Sequence, residues 1–309
     1  MILSLSKKQL FDKAYLLAYF RNETKEKIGE DNSIFAGRHF KENATEINKF
    51  LKERRETLIN YVSEKCAEEK WSRADLVERV LMITYASYVV MIESRNSFWP
   101  YEYMSFSRRI GELWEPFCAL SWDYPVNPSI AHVRPPNFND VKMKLSEDIR
   151  GFTQKLELEN DKKETLIEYY EQVWNLVTAG DINLQLDLHF TDGKTNFNVD
   201  FKSGFSSNEK GNTNRLLVVA SIYSLIGNQN QCEMYVRTRE DQSNHYLQTL
   251  KNSSFWSVYC GQEAYVRMQE HTGYSIKDWI ETNILWEEDF NSQTIKHLEN
   301  EGLLAYLKW

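Results

Sequence analysis

From position 182 to 190 every even residue is apolar (Ile182, Leu184, Leu186, Leu188, Phe190), whereas the odd ones are Asn183, Gln185, Asp187 and His189. A period of two with one apolar side predicts a half-buried β-strand. After Thr191-Asp192-Gly193-Lys194 the alternation resumes, with Phe197, Val199 and Phe201 apolar and Asn196, Asn198, Asp200 and Lys202 polar. An Asp-Gly pair between two alternating runs predicts a hairpin. A two-residue loop would set Leu188 opposite Phe197; one further residue on each side would set Asp187 opposite Asp200. Both registers match apolar with apolar, and both put Asp187, Asp200 and Lys202 on one side of the sheet, with cross-strand neighbours roughly 5 Å apart.

Elsewhere the pattern is mostly helical. Residues 105–115 place Phe106, Ile110, Leu113 and Trp114 on one face, continued by Phe117, although Pro116 is awkward in a helix interior. Two charged helical runs are predicted over residues 141–158 and 162–177, after a Pro-rich loop (Pro125, Pro128, Pro135, Pro136). Gly211-Asn212-Thr213-Asn214 punctuates the chain before 215–226, a run apolar nearly all round, as expected of a helix buried against a sheet. Residues 231–239 then read as a strand. The first hundred residues show helical spacing and no evident chemistry. The aromatic-rich last seventy, with Trp256, Tyr259, Tyr265, Trp279 and Trp286, read as core around short helices at 263–270 and 276–284.

Composition narrows the field. The 309 residues are 42% hydrophobic, enough for one large domain or two smaller ones, and the formal net charge is −8. Such a balance argues against loose coating of nucleic acid. Cys66, Cys118, Cys232 and Cys260 are scattered, without metal-ligand spacing or a disulfide framework, which suggests a reducing, cytoplasmic setting. No signal peptide and no membrane span is evident. Glycine-rich phosphate loops and nucleophile elbows are likewise absent from the sequence, so no small-molecule cofactor is expected.

The chemistry is concentrated at the hairpin. Two carboxylates held side by side repel unless a cation lies between them, and hard oxygen ligands favour Mg²⁺ or Mn²⁺ over zinc. Asp187, a hairpin, then Asp200-Phe201-Lys202 resembles the PD-(D/E)xK phosphodiesterases, the fold of many type II restriction endonucleases and of some repair and recombination nucleases. The resemblance covers roughly residues 101–239. It implies an α/β fold with a central mixed β-sheet flanked by helices, here preceded by a helical N-terminal region over 1–100, so that 101–309 forms the catalytic domain with a helical insertion near 122–178. The first metal ligand is Asp187 on the hairpin geometry or Asp181, in Gly180-Asp181-Ile182, on the family's wording; Asp200 is the second. Lys202 would orient the attacking water. The family's upstream glutamate corresponds to Glu115, with Glu112 as the alternative, and Arg108, Arg109, Lys210 and Arg215 are the expected DNA-contacting cations, with Arg237 and Arg239 also flanking the elements. The chain departs from the family pattern in having no proline before the first aspartate, aspartate in place of the commoner glutamate at 200, and no recognisable first strand between 122 and 178.

What the resemblance implies is a Mg²⁺-dependent, sequence-specific endonuclease acting on double-stranded DNA as a homodimer, with Mn²⁺ able to substitute. A nonspecific repair or recombination nuclease is one alternative. A catalytically silent protein of the same fold, binding nucleic acid or another partner, is the other.

Overall fold

The computed structural model describes residues 5–30, 40–177, 182–205, 210–227 and 229–309. Among them are thirteen α-helices and a five-stranded mixed sheet, a mostly helical α/β architecture. No helix among the described residues is long and apolar enough to cross a membrane. The chain divides into two compact units: Met1–Pro128 together with Tyr265–Trp309, and Ser129–Ala264 between them. The sequence pattern placed the division near residue 100 and kept the aromatic C-terminal stretch with the sheet. The structure groups Tyr265–Trp309 with the N-terminal helices instead and leaves Trp256 and Tyr259 with the sheet.

The first unit is helical: α1 (Lys7–Leu10), α2 (Lys13–Glu30), α3 (Phe40–Glu69), α4 (Arg73–Phe98) and α5 (Tyr103–Asp123), joined by the C-terminal helices Gln262–Thr272, Ile276–Asn283, Trp286–Asp289 and Ser292–Asn300. Helix α4 starts at a capping box, in which the Ser72 hydroxyl accepts from Asp75 N and the Asp75 side chain answers Ser72 N. Its interior, from Val77 to Asn96, is buried on nearly every side, because α2 and α3 both pack against it. Helix α5 runs through Pro116 to Asp123 without ending there. The C-terminal helices of this unit are clamped by a buried polar network. Asp289 accepts from the Tyr85 hydroxyl at 2.7 Å and from Lys13 Nζ at 2.9 Å. Glu93 takes both Arg21 Nε (3.0 Å) and Nη2 (2.7 Å) and accepts from Asn291 N at 2.6 Å.

The second unit carries the sheet, in the order β1 (Ala131–His132), β2 (Leu188–Thr191), β3 (Asn196–Lys202), β4 (Asn230–Val236), β5 (Trp256–Cys260). β1, β2 and β3 are antiparallel neighbours, and β3, β4 and β5 run parallel. Parallel strands need crossovers, supplied by α8 (Lys210–Ile226) and by α9 (His245–Lys251). The preceding helices α6 (Phe138–Gln154) and α7 (Asn160–Val177) occupy the interval read as an insertion. That interval also holds β1, a two-residue strand too short to show any period.

Three elements differ from the sequence expectation. Strand β2 begins at Leu188 rather than at 182, although Leu184 and Leu186 are buried as the alternation required. Their backbone groups are taken by side chains in place of a strand partner: the Tyr223 hydroxyl donates to Leu184 O (3.0 Å), and Leu186 N donates to His189 Nε2 (2.9 Å). Helix α8 begins at Lys210, so Gly211-Asn212-Thr213-Asn214 lies within it. Strand β5 differs as well, since the pattern reads Trp256 and Tyr259 with the helical aromatics.

The hairpin adopts the longer of the two registers. Leu188 pairs with Val199, Phe190 with Phe197 and Thr191 with Asn196, leaving the four-residue turn 192–195. Asp192 Oδ1 closes it by accepting from Lys194 N (2.9 Å) and Thr195 N (2.8 Å), and Gly193 takes the positive φ of +90° that the turn needs.

The α8-facing side of the sheet forms the core of this unit. Leu216, Val219, Ala220 and Tyr223 pack with Cys232, Met234 and Val236 of β4 and with Trp256, Val258 and Cys260 of β5. Residues paired across a ladder point to the same side, so Asn198, Asp200 and Lys202, paired with Cys232, Met234 and Val236, face α8 as well. The alternation predicts that this polar row borders solvent. Asn198 and Asp200 are instead buried, as are Phe197, Val199 and Phe201 on the reverse side.

Candidate active site on the β2–β3 hairpin

Asp200 lies in the middle of the sheet, 1% exposed, and its carboxylate is flanked by two cations. Lys202 Nζ forms a close ion pair with Oδ1 and also donates to Phe201 O at 3.1 Å. Arg215, in the second turn of α8 and 42% exposed, brings Nη2 to 3.7 Å from Oδ2. Burial pushes the Asp200 carboxyl up from the usual carboxylate range to about 6, against the opposing pull of Lys202; Asp187 adds to the rise and Arg215 opposes it.

Asp187 stands one position beyond the Leu188–Val199 pair, exposed at the edge of the same face. Its Oδ2 accepts from Phe201 N at 2.7 Å, so a carboxylate takes the donor that a longer β2 would have met with a backbone carbonyl. This bond fixes Asp187 against β3, one residue from Asp200 along the strand.

The segment that carries Asp187 is held from below by a residue the pattern did not single out. His189 is buried; Nε2 accepts from Leu186 N (2.9 Å), which leaves Nδ1 as the protonated nitrogen, donating to Asn198 Oδ1 (2.9 Å). Burial lowers its pKa, in keeping with a neutral ring whose two nitrogens are both engaged. A polar residue in the odd-numbered row was the available signal, but its role depends on the turn at Leu186.

Asp181 lies outside the described residues. Glu112 and Glu115 are on α5, in the first unit. Glu112 is engaged by Arg108 Nε at 2.6 Å and by Arg109 Nη1 at 3.7 Å, and Glu115 is half-buried. The site built within the second unit therefore comprises Asp187, Asp200, Lys202 and Arg215. Lys210 is exposed at the start of α8, and Arg239 is exposed and paired with Asp241 at 3.2 Å. Glu233, a third acidic group near the centre of the sheet, points to the reverse side, where the Tyr235 hydroxyl donates to it at 2.5 Å.

Among the described residues no group of three or more His, Cys, Asp or Glu side chains converges as a metal-ligand set. Asp187 and Asp200 form a pair of hard oxygen donors, the type of set that suits Mg²⁺, which commonly takes one or two carboxylates and completes its shell with water and substrate phosphate. The raised Asp200 pKa is what a buried carboxylate with a second one nearby should show, and a divalent cation would reverse it. No family model, no characterised protein and no solved structure matches this chain.

Proposed function

We propose that the second unit is a Mg²⁺-dependent phosphodiester hydrolase of the PD-(D/E)xK kind, a sequence-specific endonuclease of the type II restriction class that acts on double-stranded DNA as a homodimer with one centre per subunit. The observation that carries this reading is the meeting of Asp187 and Asp200 on one face of a hairpin, with Lys202 paired to Asp200. The hairpin leads into the crossover helix α8 and the parallel strand β4, the order the resemblance implies, and this supports it further.

Asp187 and Asp200 would hold the cation, with Mn²⁺ able to substitute. A bound Mg²⁺ supplies Lewis-acid polarisation of the phosphoryl oxygen and lowers the pKa of an attacking water. The chain's own residues do the rest. Asp200 must be ionised to act as a ligand. Lys202 offsets the negative charge that grows on the phosphoryl oxygens and orients the nucleophile. Arg215, exposed beside Asp200, presents a guanidinium to a phosphate. His189 and Asn198 hold the Asp187 segment and do not touch substrate.

The test is incubation of the purified chain with plasmid and Mg²⁺, beside Asp187→Asn, Asp200→Ala and Lys202→Ala. Discrete fragments from the wild type, with each variant slower by about a hundredfold or more, are expected. A smear would replace sequence specificity with nonspecific cleavage. One observation favours a silent, binding-only protein: Asp187 Oδ2 and Asp200 Oδ1 are both engaged internally, as in a purely structural pair. Intact plasmid in every lane would select that reading.

A further inference from the structure

The first unit contains a cavity of about 550 Å³ that shares no residue with the hairpin site. Helix α3 contributes Lys41 and Asn48, the end of α4 contributes Arg95, Trp99 follows as its C-cap, and α5 contributes Arg108 and Arg109. Arg95 is the central oddity. It is only 7% exposed, its guanidinium lies 4.4 Å from the centre of the Trp99 ring and 3.9 Å from that of Tyr101, and its Nη1 has no hydrogen-bond partner. Among the described residues no carboxylate pairs with it. Burial lowers its pKa and the neighbouring Arg109 adds to that, while Tyr101 and the Glu102 carboxylate oppose the fall from a distance, without an ion pair to Arg95 among the described residues.

Asn48 Oδ1 is a second buried polar atom on the same cavity without a partner. A buried guanidinium nitrogen and a buried amide oxygen without hydrogen-bond partners both destabilise a fold, so their presence on one wall points to groups that arrive from outside. The rest of the lining indicates what those groups are. Lys41, Arg95, Arg108 and Arg109 face a single carboxylate, Glu112, although the whole chain carries a formal −8. That concentrates positive potential where most of the molecule repels anions. Trp99 is 43% exposed at the mouth, with Arg95 against its ring, and so offers a flat apolar surface beside the cation.

We infer that this cavity binds a nucleoside phosphate, free or as the unpaired end of a strand, with the phosphate on Arg95, the base stacked on Trp99 and the Asn48 amide meeting a polar edge. A phosphate answers an uncompensated guanidinium through charge-assisted bonds, and a base ring answers an exposed indole. The inference is independent of the reading of Asp187 and Asp200.

The test is isothermal titration calorimetry on the full chain in EDTA, so that nothing is hydrolysed. The titrants are AMP, adenosine, inorganic phosphate, and tetrathymidylate with and without a 5′-phosphate. Binding of AMP is expected if the ligand is a free nucleotide, and of the 5′-phosphorylated tetramer alone if it is a strand end. In either case the unphosphorylated counterpart should bind at least about tenfold more weakly. Arg95→Met should weaken binding about tenfold or more while leaving the unfolding midpoint unchanged or raised, since it removes an unpaired buried charge. Trp99→Ala should weaken binding about fivefold or more. If Arg95→Met does not fold, Trp99→Ala and Lys41→Glu, both at exposed positions, decide instead. Binding of neither phosphorylated ligand, equal binding with and without the phosphate, undiminished affinity in these variants, or displacement of AMP by a glutamate-rich peptide at equal concentration would overturn the inference.

Discussion

Asp200 is the residue at which stability and chemistry oppose one another. Folding moves its carboxyl from 3.8 to about 6, so the protonated form is the one the fold prefers. Below pH 4 the group is protonated in both states and contributes nothing; as the pH climbs through about 6 a destabilisation develops that levels off at about 3 kcal/mol. Asp200→Asn should accordingly raise the melting temperature at pH 8 and leave it nearly unchanged at pH 3.5, which calorimetry at the two values would show. A melting temperature lowered at pH 8 would mean that the Lys202 ion pair outweighs burial. Cleavage under the proposed function should run the other way at limiting Mg²⁺, falling tenfold per unit as the pH drops well below 6 because the ligand form disappears, and saturating Mg²⁺ should move that fall to lower pH. His189 makes a different prediction: His189→Phe strands Leu186 N and Asn198 Oδ1 and should destabilise the chain by about 1–3 kcal/mol in urea unfolding. The sharing of one face by Asp187, Asp200 and Lys202 was legible in the sequence, since a strand period of two fixes it whatever the turn length. The burial of Asp200 was not, because it depends on which helix covers that face.

The hairpin shows where pattern ends and tertiary context begins. The Asp-Gly turn and the pairing of apolar with apolar were readable, and both candidate registers satisfied them; the choice between them was made by the four-residue turn that Asp192 closes. Gly193 sits at φ +90° with open space around a would-be Cβ, so Gly193→Ala meets backbone strain without any clash, and should cost about 1 kcal/mol in chemical denaturation. A neutral result would place the turn in another conformation. Strand β2 is shorter than its alternation because period two reports burial on one side, and Leu184 and Leu186 achieve that burial on α8 without a ladder. Strand β5 was missed for the converse reason: five residues rich in rings carry too little period to separate a strand from a helical core. In α8 the tetrad Gly211-Asn212-Thr213-Asn214 reads as punctuation, yet at the start of a helix such residues are tolerated, since the first N–H groups lack intrahelical partners in any case.

At the scale of the molecule, the helical unit is assembled from two stretches of chain separated by the whole sheet unit. Among the contacts that join those stretches are the Asp289 and Glu93 networks, the Trp114–Tyr265 hydrogen bond and the aromatic cluster in which Trp309 meets Tyr88, Phe117 and Trp286. Asp289→Ala leaves the Tyr85 hydroxyl without its carboxylate acceptor and Lys13 with only Asn283 O, and should lower stability by about 3 kcal/mol, measured as a shift in the urea midpoint followed by tryptophan fluorescence. No change would relegate the network to decoration. Long-range joints of this type could not be read from the chain, where Lys13 and Asp289 are separated by 275 residues and neither belongs to a motif.

The same interleaving sets an order of events during synthesis. Residues 129–264 leave the ribosome as one contiguous block and can close around their own sheet at once. The helices made before them must wait, with Tyr85, Tyr88 and Phe117 unshielded, until Trp286 and Trp309 have been translated. The helices translated ahead of the sheet unit thus mature after it, and that interval is when a nascent chain would most need a chaperone.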